Sequence, residues 1–373
     1  MNLSSIEYFP ALRAGKFDLL ALLELENERK QRISPIISAR GNAKQLEQFA
    51  ERWGDFPFWV DSSRFPQDAS DELASTLNKG EGNFAEKQNL LATLSGINKN
   101  VLPIVGFRAS DNARQVVQFA LYALKNFSFV AIRVEMSGKA LDQNLSLTSA
   151  ILNAVDDDDI NRIYLIADMG SINSVPDTDE SSDIARVIGL AAEYSIDKIV
   201  TLSTSWPDDR PDKGTIEYRG CLDPIWQAQV FSAEEADFNL FYGDYAATNP
   251  VKDLLDNFDP KKMAAPVPFA GYLTPCIWVQ SKQGRSGENE QFKTIANQFR
   301  NLENYHGDDF CWGTRQIGAI ATGARAPGNM AFWNKIRVNQ HICAMLHAFD
   351  EGMFDWLLTP DTDNDADLED DLI

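Results

Sequence analysis

The sequence has few of the residues that bind metals or build disulfide scaffolds. Three histidines and four cysteines occur among 373 residues. His341 and His347 are six positions apart in a predicted helix, so they point in different directions and cannot form an H-x-x-x-H metal pair. The cysteines never form a C-x-x-C pair, which argues against a zinc knuckle or a disulfide framework. We therefore expect reduced, mostly buried thiols.

Basic charge and long apolar runs are also scarce. Lys and Arg total 34 against 55 Asp and Glu, which gives a formal net charge of −21. This excess of negative charge opposes non-specific binding to nucleic acid or anionic lipid. No apolar run approaches the roughly 18 residues that a membrane span needs, and the N-terminus has no signal-peptide pattern. We therefore expect a cytoplasmic protein that does not bind membranes.

Several motifs that mark known chemistry are absent as well. Neither G-x-G-x-x-G nor G-x-x-x-x-G-K-[ST] occurs, which argues against the common dinucleotide-binding and P-loop folds. A G-x-S-x-G nucleophile elbow is missing too, so covalent acyl chemistry has no support.

What the sequence does contain is a repeated alternation of strand and helix patterns. Short β-branched or apolar runs, typical of strands, occur at Ile33–Ala39, Pro57–Asp61, Leu102–Phe107, Phe129–Glu135, Ile163–Asp168, Ile199–Ser203, Phe238–Tyr242 and Pro275–Val279. Helical patterns follow them at Ala43–Trp53, Ala85–Leu94, Asn112–Lys125, Leu145–Val155, Ser182–Tyr194, Pro224–Phe231, Val251–Phe258 and Asn289–Arg300. Eight units in about 270 residues predict an α/β fold of the (β/α)8 TIM-barrel type, with an open sheet or a split α/β architecture as the alternative.

The remaining segments are predicted to be additions to this barrel. Residues 1–32 form an N-terminal extension with a short strand at Glu7–Leu12 and a helix, and residues 33–301 form the barrel. Residues 302–357 form a C-terminal segment that covers one end of the barrel, extended at Phe310–Thr322 and helical from Asn329. Residues 358–373 are a disordered acidic tail, with seven acidic residues in the last thirteen.

Three stretches of sequence carry a family resemblance. They are the opening YFPALRAGKFDLLALLEL followed by ISPII, the middle GDYAATNP, and the closing HGDDFCWGTRQIGAIATG with GNMAFWNKIRVNQHICAML. Together they resemble the Y-x-P-x-L, G-D-Y and F-C-W-G…N-H-H blocks of the beta family of phage and prophage proteins. Thr314 stands where that family usually has an acidic residue, and Gln340 replaces the first histidine of the closing pair. The resemblance implies a phage or mobile-element context and a role in phage–host conflict, and it implies no particular reaction.

In a (β/α)8 barrel the functional site lies at the carboxyl ends of the strands, where the βα loops converge. Polar residues end or follow six of the eight predicted strands, and these are the candidate site residues: Arg40, Asp61, Arg108, Arg133, Glu135, Asp168, Asp244 and Tyr245. Arg133 and Glu135 are two positions apart in one strand, so both are predicted to face the lumen. They form either an internal ion pair with neighbouring charges or direct contacts with a ligand.

The chemistry of these candidates leaves two functions open. The first is binding of a nucleotide or protein ligand at the barrel mouth, in phage–host conflict. The second is metal-assisted phosphoester hydrolysis, in which Arg108 and Arg133 bind phosphate and Glu135, Asp168 and Asp244 serve in metal binding or proton transfer. Asp168 and Glu135 are the candidate ligands for Mg²⁺ or Mn²⁺. The sequence does not decide whether the protein is an enzyme.

Two residues outside the predicted strand ends complete the candidate site. His306 lies in a turn-like segment that could reach the mouth as an acid or base, or could order its own loop. Trp312 could stack on a base or sugar, although aromatic residues are more often part of a core. The expected partners are therefore a small phosphorylated ligand or another protein.

Overall fold

The structure is a computed structural model that describes residues 3, 5–65, 68–136, 140–207, 209–233, 238–250 and 265–358. The predicted helix Val251–Phe258 and the predicted acidic tail lie outside the described residues, except for residue 358. The strands are β1 Tyr8–Arg13, β2 Ile36–Ala39, β3 Phe58–Ser62, β4 Val101–Gly106, β5 Val130–Glu135, β6 Ile163–Ser171, β7 Lys198–Thr204, β8 Thr215–Gly220, β9 Asn239–Asp244, β10 Phe269–Thr274 and β11 Ile277–Lys282.

Fourteen α-helices connect or follow these strands in the described part of the chain. They are α1 Lys16–Leu23, α2 Asn27–Lys30, α3 Ala43–Trp53, α4 Glu72–Leu77, α5 Glu81–Ile97, α6 Ala113–Asn126, α7 Leu141–Leu152, α8 Asp157–Ile160, α9 Asp183–Glu193, α10 Leu222–Ala233, α11 Phe292–Arg300, α12 Trp312–Thr322, α13 Met330–Asp350 and α14 Met353–Leu358. Several begin with a side-chain cap, such as Asn112 for α6 and Ser182 for α9. None of the described helices is long and apolar enough to cross a membrane.

Eight parallel strands close into a barrel in the order β1-β2-β3-β4-β5-β6-β7-β9, which confirms the predicted (β/α)8 architecture. Two strand assignments are corrected. The first barrel strand is β1, which was predicted to belong to the N-terminal extension, and the eighth is β9. The predicted eighth strand, Pro275–Val279, overlaps β11, which lies outside the barrel. A local pattern identifies a strand but not the strand with which it pairs. The predicted number of barrel strands was therefore right, while two strands were wrongly assigned to the inside or the outside of the barrel.

The barrel lumen is filled by side chains from alternate positions of the strands. Phe9, Trp59 and Tyr164 belong to a buried apolar cluster inside the barrel, and the Tyr164 ring contacts the other two. The intervening strand residues face outward into the larger core under the helices. Because the lower lumen is packed and apolar, polar lumen-facing residues can meet only near the carboxyl ends of the strands.

The rest of the C-terminal half forms a second, antiparallel sheet with helices around it. Its strand order is β10-β11-β8. The segment predicted as extended at Phe310–Thr322 is mostly the helix α12, so that prediction is wrong. The start of α12 is stabilised by a capping box in which Cys311 accepts from the Thr314 amide and Thr314 accepts from the Cys311 amide.

The long helix α13 packs along the outer wall of the barrel. It begins after Asn329 as predicted, and the Asn329 side chain accepts a hydrogen bond from the Phe332 amide. Most of its side chains are buried. It contacts α1 directly: Asn339 donates to the Ala21 carbonyl at 3.1 Å, and Lys335 pairs with Glu24 at 2.5 Å.

Candidate functional site at the barrel mouth

Five of the predicted site residues converge at the carboxyl end of the barrel. Asp61 lies near the end of β3, Arg133 and Glu135 lie near the end of β5, Asp168 lies on β6, and Tyr245 follows β9. Arg133 and Glu135 continue the lumen-facing positions begun by Ala131, which confirms their predicted facing. The strand register places Glu135 directly beside Asp168.

Arg133 is the centre of a buried hydrogen-bond network. Its guanidinium donates to Asp168 Oδ2 through two nitrogens, at 2.9 and 2.7 Å, and to the Tyr245 hydroxyl at 2.8 Å. Tyr245 in turn donates to Asp168 Oδ1 at 2.7 Å. Burial alone would lower the pKa of Arg133, but Asp168, Tyr245 and Asp61 outweigh it and raise the pKa. Of the two roles considered for Arg133, an internal ion pair or direct contact with a ligand, the structure shows the ion pair, with Asp168.

A second buried ion pair stands beside the first. Lys87 on α5 donates to Asp61 Oδ1 at 2.7 Å and to the Ile104 carbonyl at 2.8 Å. The other carboxylate oxygen, Asp61 Oδ2, is buried without a hydrogen bond and lies 3.6 Å from Arg133 Nη1. Burial would raise the pKa of Asp61, but the charges of Lys87, Arg133 and Arg64 more than compensate and lower it. Asp61 is thus a carboxylate with one uncommitted oxygen.

Glu135 faces a small recess between these two pairs. The recess is lined by Asp61, Arg64, Phe65, Gly106, Phe107, Arg133 and Glu135, and its free volume of about 10 Å³ has room for about one water molecule. Among the described residues, none donates a hydrogen bond to the Glu135 carboxylate. Burial raises the pKa of Glu135, and nearby Arg133 only partly opposes this. A carboxyl group with a raised pKa beside a recess has the properties of a general acid or base.

A further ion-pair cluster occupies the β1–β2 side of the mouth. Asp68 is buried and pairs with Arg13 at 2.5 Å and with Arg40 at 3.0 Å. The Phe65 ring lies between two guanidinium groups, 5.7 Å from that of Arg13 and 6.0 Å from that of Arg133. Arg40 is therefore at the mouth, as predicted, where it is engaged by Asp68.

The rim on the β3–β4 side carries two more arginines. Arg64 pairs with Asp111 at 2.8 Å and donates to the Gly106 carbonyl. Arg108 is exposed and donates one hydrogen bond, to the Arg64 carbonyl at 3.1 Å. Since a guanidinium has five N–H donors, Arg108 keeps several that are directed at solvent.

Asp244 does not belong to this site, which corrects the prediction that it shares the mouth with Glu135 and Asp168. It faces the helical layer outside the lumen and accepts hydrogen bonds from Tyr8 at 2.5 Å and Tyr242 at 3.3 Å. Its Oδ2 also lies 2.8 Å from Nε2 of His341 on α13. The strand alternation explains the difference, because Tyr245, one position later, is the residue that enters the lumen.

His306 and Trp312 also lie away from the mouth, contrary to their predicted placement. The Nδ1 atom of His306 lies 2.6 Å from the Tyr272 hydroxyl, and its ring stacks on Phe310. Burial, with a smaller contribution from His347, lowers the pKa of His306 to about 4. Trp312 begins α12 and packs under the ammonium group of Lys335, 4.1 Å from the ring centre. Both belong to the C-terminal layer, because a turn or a helix start in the sequence does not reveal which end of the barrel it approaches.

The charges of the mouth are arranged for ion pairing more than for metal binding. The described residues contain no cluster of three or more His, Cys, Asp or Glu side chains that could hold a metal ion. Both Asp168 oxygens already accept hydrogen bonds, from Arg133, Tyr245 and the Gly170 amide. From the described residues, the Glu135 carboxylate and Asp61 Oδ2 accept no hydrogen bond.

Several residues of the site were not predicted from the sequence. Arg13 ends the first barrel strand and could have been found once that strand was assigned. Lys87 gives no signal, because a lysine in an amphipathic helix normally reads as solvent-exposed. Phe65 and Asp68 follow β3 in the βα loop, and nothing local distinguishes them from other loop residues.

Fold and site together define a class of protein: a (β/α)8 barrel with an ion-pair network at its carboxyl mouth and an antiparallel sheet beside it. The model of the Beta protein family matches residues 8–347, and the chain belongs to this family. Protein beta of Enterobacteria phage P4 is 25% identical over 353 residues, which cover 90% of this chain and 91% of that protein. The family resemblance read from the sequence is therefore confirmed.

The three stretches that carry the resemblance meet in the structure. Tyr8 comes from the opening stretch, Asp244 from the middle one and His341 from the closing one, and Asp244 lies within hydrogen-bond distance of both others. All three are buried. They lie at the seam where β1 pairs with β9 and closes the barrel. The shared blocks therefore meet at the closure of the barrel, away from the recess.

Proposed function

We propose that the barrel mouth binds a small phosphate-bearing ligand, such as a nucleotide, through Arg108 and Glu135. The observation that carries the proposal is that most charges of the mouth are neutralised in pairs while these two keep free hydrogen-bonding groups. Arg108 presents exposed donors on the rim. Glu135, with the free oxygen of Asp61, presents acceptors in the adjacent recess.

The two groups suit opposite ends of one ligand. A guanidinium on the rim binds phosphate oxygens without losing a buried partner. A hydroxyl or amino group of the same ligand can donate to Glu135 and Asp61 Oδ2, which satisfies the unpaired buried oxygen. Because the recess has room for about one water molecule, the bulk of the ligand would lie on the rim or displace the Phe65 ring.

A thermal-shift screen tests this function. Nucleoside mono-, di- and triphosphates and inorganic phosphate are added to the protein, with and without Mg²⁺ or Mn²⁺. At least one nucleotide is expected to raise the melting temperature, and Arg108→Ala and Glu135→Gln are each expected to weaken its binding about tenfold. Arg186→Ala, which removes an exposed arginine on α9, is the control and should bind normally. No stabilisation of the parent protein by any of these compounds would refute the proposal.

Phosphoester hydrolysis is the second candidate, and the raised pKa of Glu135 favours it. A carboxyl group whose pKa is raised, placed beside a bound phosphate, can transfer a proton to a leaving group. Release of inorganic phosphate from the stabilising nucleotide, with Mg²⁺ or Mn²⁺ present, is the measurement. Loss of turnover in Glu135→Gln with ligand binding retained would support a catalytic role, whereas binding without turnover in the parent would leave a ligand-binding protein.

A role in phage–host conflict rests on the family alone. The test is the plating efficiency of phages on bacteria that express the parent protein or Arg108→Ala. An effect on plating that Arg108→Ala abolishes, with equal expression, would connect the barrel mouth to that role. A parent protein that changes no phage's plating would contradict it.

A further inference from the structure

The strand β8 ends the antiparallel sheet with an open edge. It pairs with β11 on one side, with Thr215 opposite Lys282 and Gly220 opposite Ile277. On its other side, no strand in the described ranges pairs with it. Its sequence, TIEYRG, contains neither proline nor lysine, the residues that most often protect an edge from pairing.

The hydrogen bonds on both sides of β11 show which backbone groups of β8 face outward. The Cys221 amide donates to the Cys276 carbonyl at 2.8 Å, in the register of the β8–β11 ladder. The Gln283 amide donates to the Pro268 carbonyl at 2.9 Å, in the register of the β10–β11 ladder. Since orientation alternates along a strand, both bonds place the N–H and C=O groups of Ile216, Tyr218 and Gly220 on the open edge.

Two large apolar side chains are exposed beside this edge. Tyr218 is 59% exposed and Ile277 is 38% exposed, and they are two of the three large hydrophobic residues that are exposed among the described ones. They line a groove of about 440 Å³ together with Ile216, Val279 and Leu302, and the rest of its lining is polar: Thr274, Gln298, Asn301, Glu303 and Asn304. The open edge and this partly apolar groove thus form one continuous surface, here called the β8 surface.

We propose that the β8 surface joins two copies of this chain, with their β8 strands paired antiparallel about a two-fold axis at Tyr218. This register makes the outward-facing Tyr218 groups a hydrogen-bonded pair. It places Glu217 of each copy directly opposite Arg219 of the other, in the closely spaced type of cross-strand pair. The two sheets would become one six-stranded sheet, with both Tyr218 rings on the groove face.

The charge pattern is what selects a second copy as the occupant. Glu217 and Arg219 stand symmetrically on either side of Tyr218, so the strand is complementary to itself when reversed. Within one chain Arg219 pairs with Asp209 at 2.5 Å and with Glu217 at 3.0 Å. These groups are partly exposed, so pairing with a second copy requires little loss of solvation.

The test uses two opposite charge reversals. Analytical ultracentrifugation of the full chain, up to about 100 μM and in about 0.15 M salt, should show a monomer–dimer equilibrium, because the surface is small and the net charge must be screened. In a dimer of Glu217→Arg, both cross-strand pairs of positions 217 and 219 bring two positive charges together. In a dimer of Arg219→Glu, both pairs bring two negative charges together. Each variant alone is expected to dimerise about tenfold more weakly than the parent. An equimolar mixture restores both opposite-charge pairs and should dimerise like the parent.

Glu193→Arg is the matched control. It changes the net charge by the same amount as Glu217→Arg, at an exposed position on α9, and it should leave dimerisation unchanged. Circular dichroism and the melting temperature check that each variant is folded. A parent protein that remains monomeric throughout the concentration range would overturn the proposal. The proposal would also be overturned if each charge-reversal variant dimerised as strongly as the parent. It would be overturned as well if the mixture dimerised no better than either variant alone.

Discussion

Asp61 and Lys87 show how strongly single charges at the mouth depend on each other. Their side chains are 1% and 2% exposed. Lys87→Met removes the ammonium group that donates to Asp61 and leaves that buried carboxylate with the more distant charges of Arg133 and Arg64. We expect it to lower the free energy of unfolding by about 3–5 kcal/mol in urea denaturation. The double variant Asp61→Asn with Lys87→Met removes both charges and should be more stable than Lys87→Met alone.

The control for this prediction is an exposed ion pair. Arg300 and Asp308 are each more than one-third exposed, so Arg300→Met should cost less than about 1 kcal/mol. If the double variant at positions 61 and 87 were no more stable than Lys87→Met, the unpaired charge of Asp61 would not be the cause of the lost stability.

Asp223 gives a prediction about pH. It lies at the start of α10 and accepts hydrogen bonds from Ser203 and Ser205. Burial, and then the charge of Asp244, raise its pKa to about 6. Because the folded state keeps this proton longer than the unfolded state, stability falls as pH rises from about 4 to about 6, by up to about 3 kcal/mol. Asp223→Asn should remove that slope.

The measurement is the difference in free energy of unfolding between the parent and Asp223→Asn across that pH range. The difference is needed because His306, with its pKa lowered to about 4, makes the opposite contribution. When the pKa of a basic group is lower in the folded state than in the unfolded state, the folded protein becomes less stable as pH falls, here from about 6.5 to about 4. Parallel curves for the two proteins would mean that Asp223 does not titrate as described.

At the scale of single elements, Gly243 on β9 is required for the strands to approach. A Cβ atom there would meet the Thr201 carbonyl oxygen at 2.8 Å and the Phe9 carbonyl oxygen at 3.2 Å. Both are backbone atoms of neighbouring strands and cannot rotate away. Gly243→Ala should therefore lower the free energy of unfolding by about 1–3 kcal/mol, measured by urea denaturation.

The same substitution on a helix should have the opposite sign. Gly189 is exposed on α9, and nothing lies within 4 Å of a Cβ atom built there. Gly189→Ala is expected to raise the free energy of unfolding by about 0.5–1 kcal/mol, because alanine favours the helix. Equal effects at the two positions would show that packing between strands does not limit Gly243.

Helices and strands could be predicted from the sequence where their pattern is local. The packing of these elements against one another could not be predicted. Apolar runs located β5 and β6. The helices predicted to begin at Ser182 and Asn329 have these residues as their N-caps. The helix α12 was missed because glycines and β-branched residues weaken its helical pattern. For the site, the strand ends predicted Asp61, Arg133, Glu135 and Asp168 together, whereas Lys87 and the outward facing of Asp244 depend on packing between distant segments.

At the scale of the whole molecule, the two ends of the described chain hold the barrel closed. Tyr8 on β1 contacts Phe349 of α13, and Asp244 on β9 contacts His341 of the same helix. The helix therefore covers the seam between the first and last barrel strands. The barrel and the C-terminal layer share one core, since residues of both belong to the same buried cluster.

This shared core predicts that the barrel cannot fold without the C-terminal helices. A chain of residues 1–301 lacks α12 and α13 and exposes Tyr8, Tyr242 and the apolar face of α1. We expect it to lose cooperative thermal unfolding and to bind a hydrophobic dye, whereas residues 1–358 should unfold in one calorimetric transition like the full chain. A chain of residues 1–301 that unfolds cooperatively with native near-ultraviolet circular dichroism would show that the barrel is an independent domain. The outcome matters for the mouth too, because Tyr245, which orients Arg133 and Asp168, follows the strand that α13 holds in place.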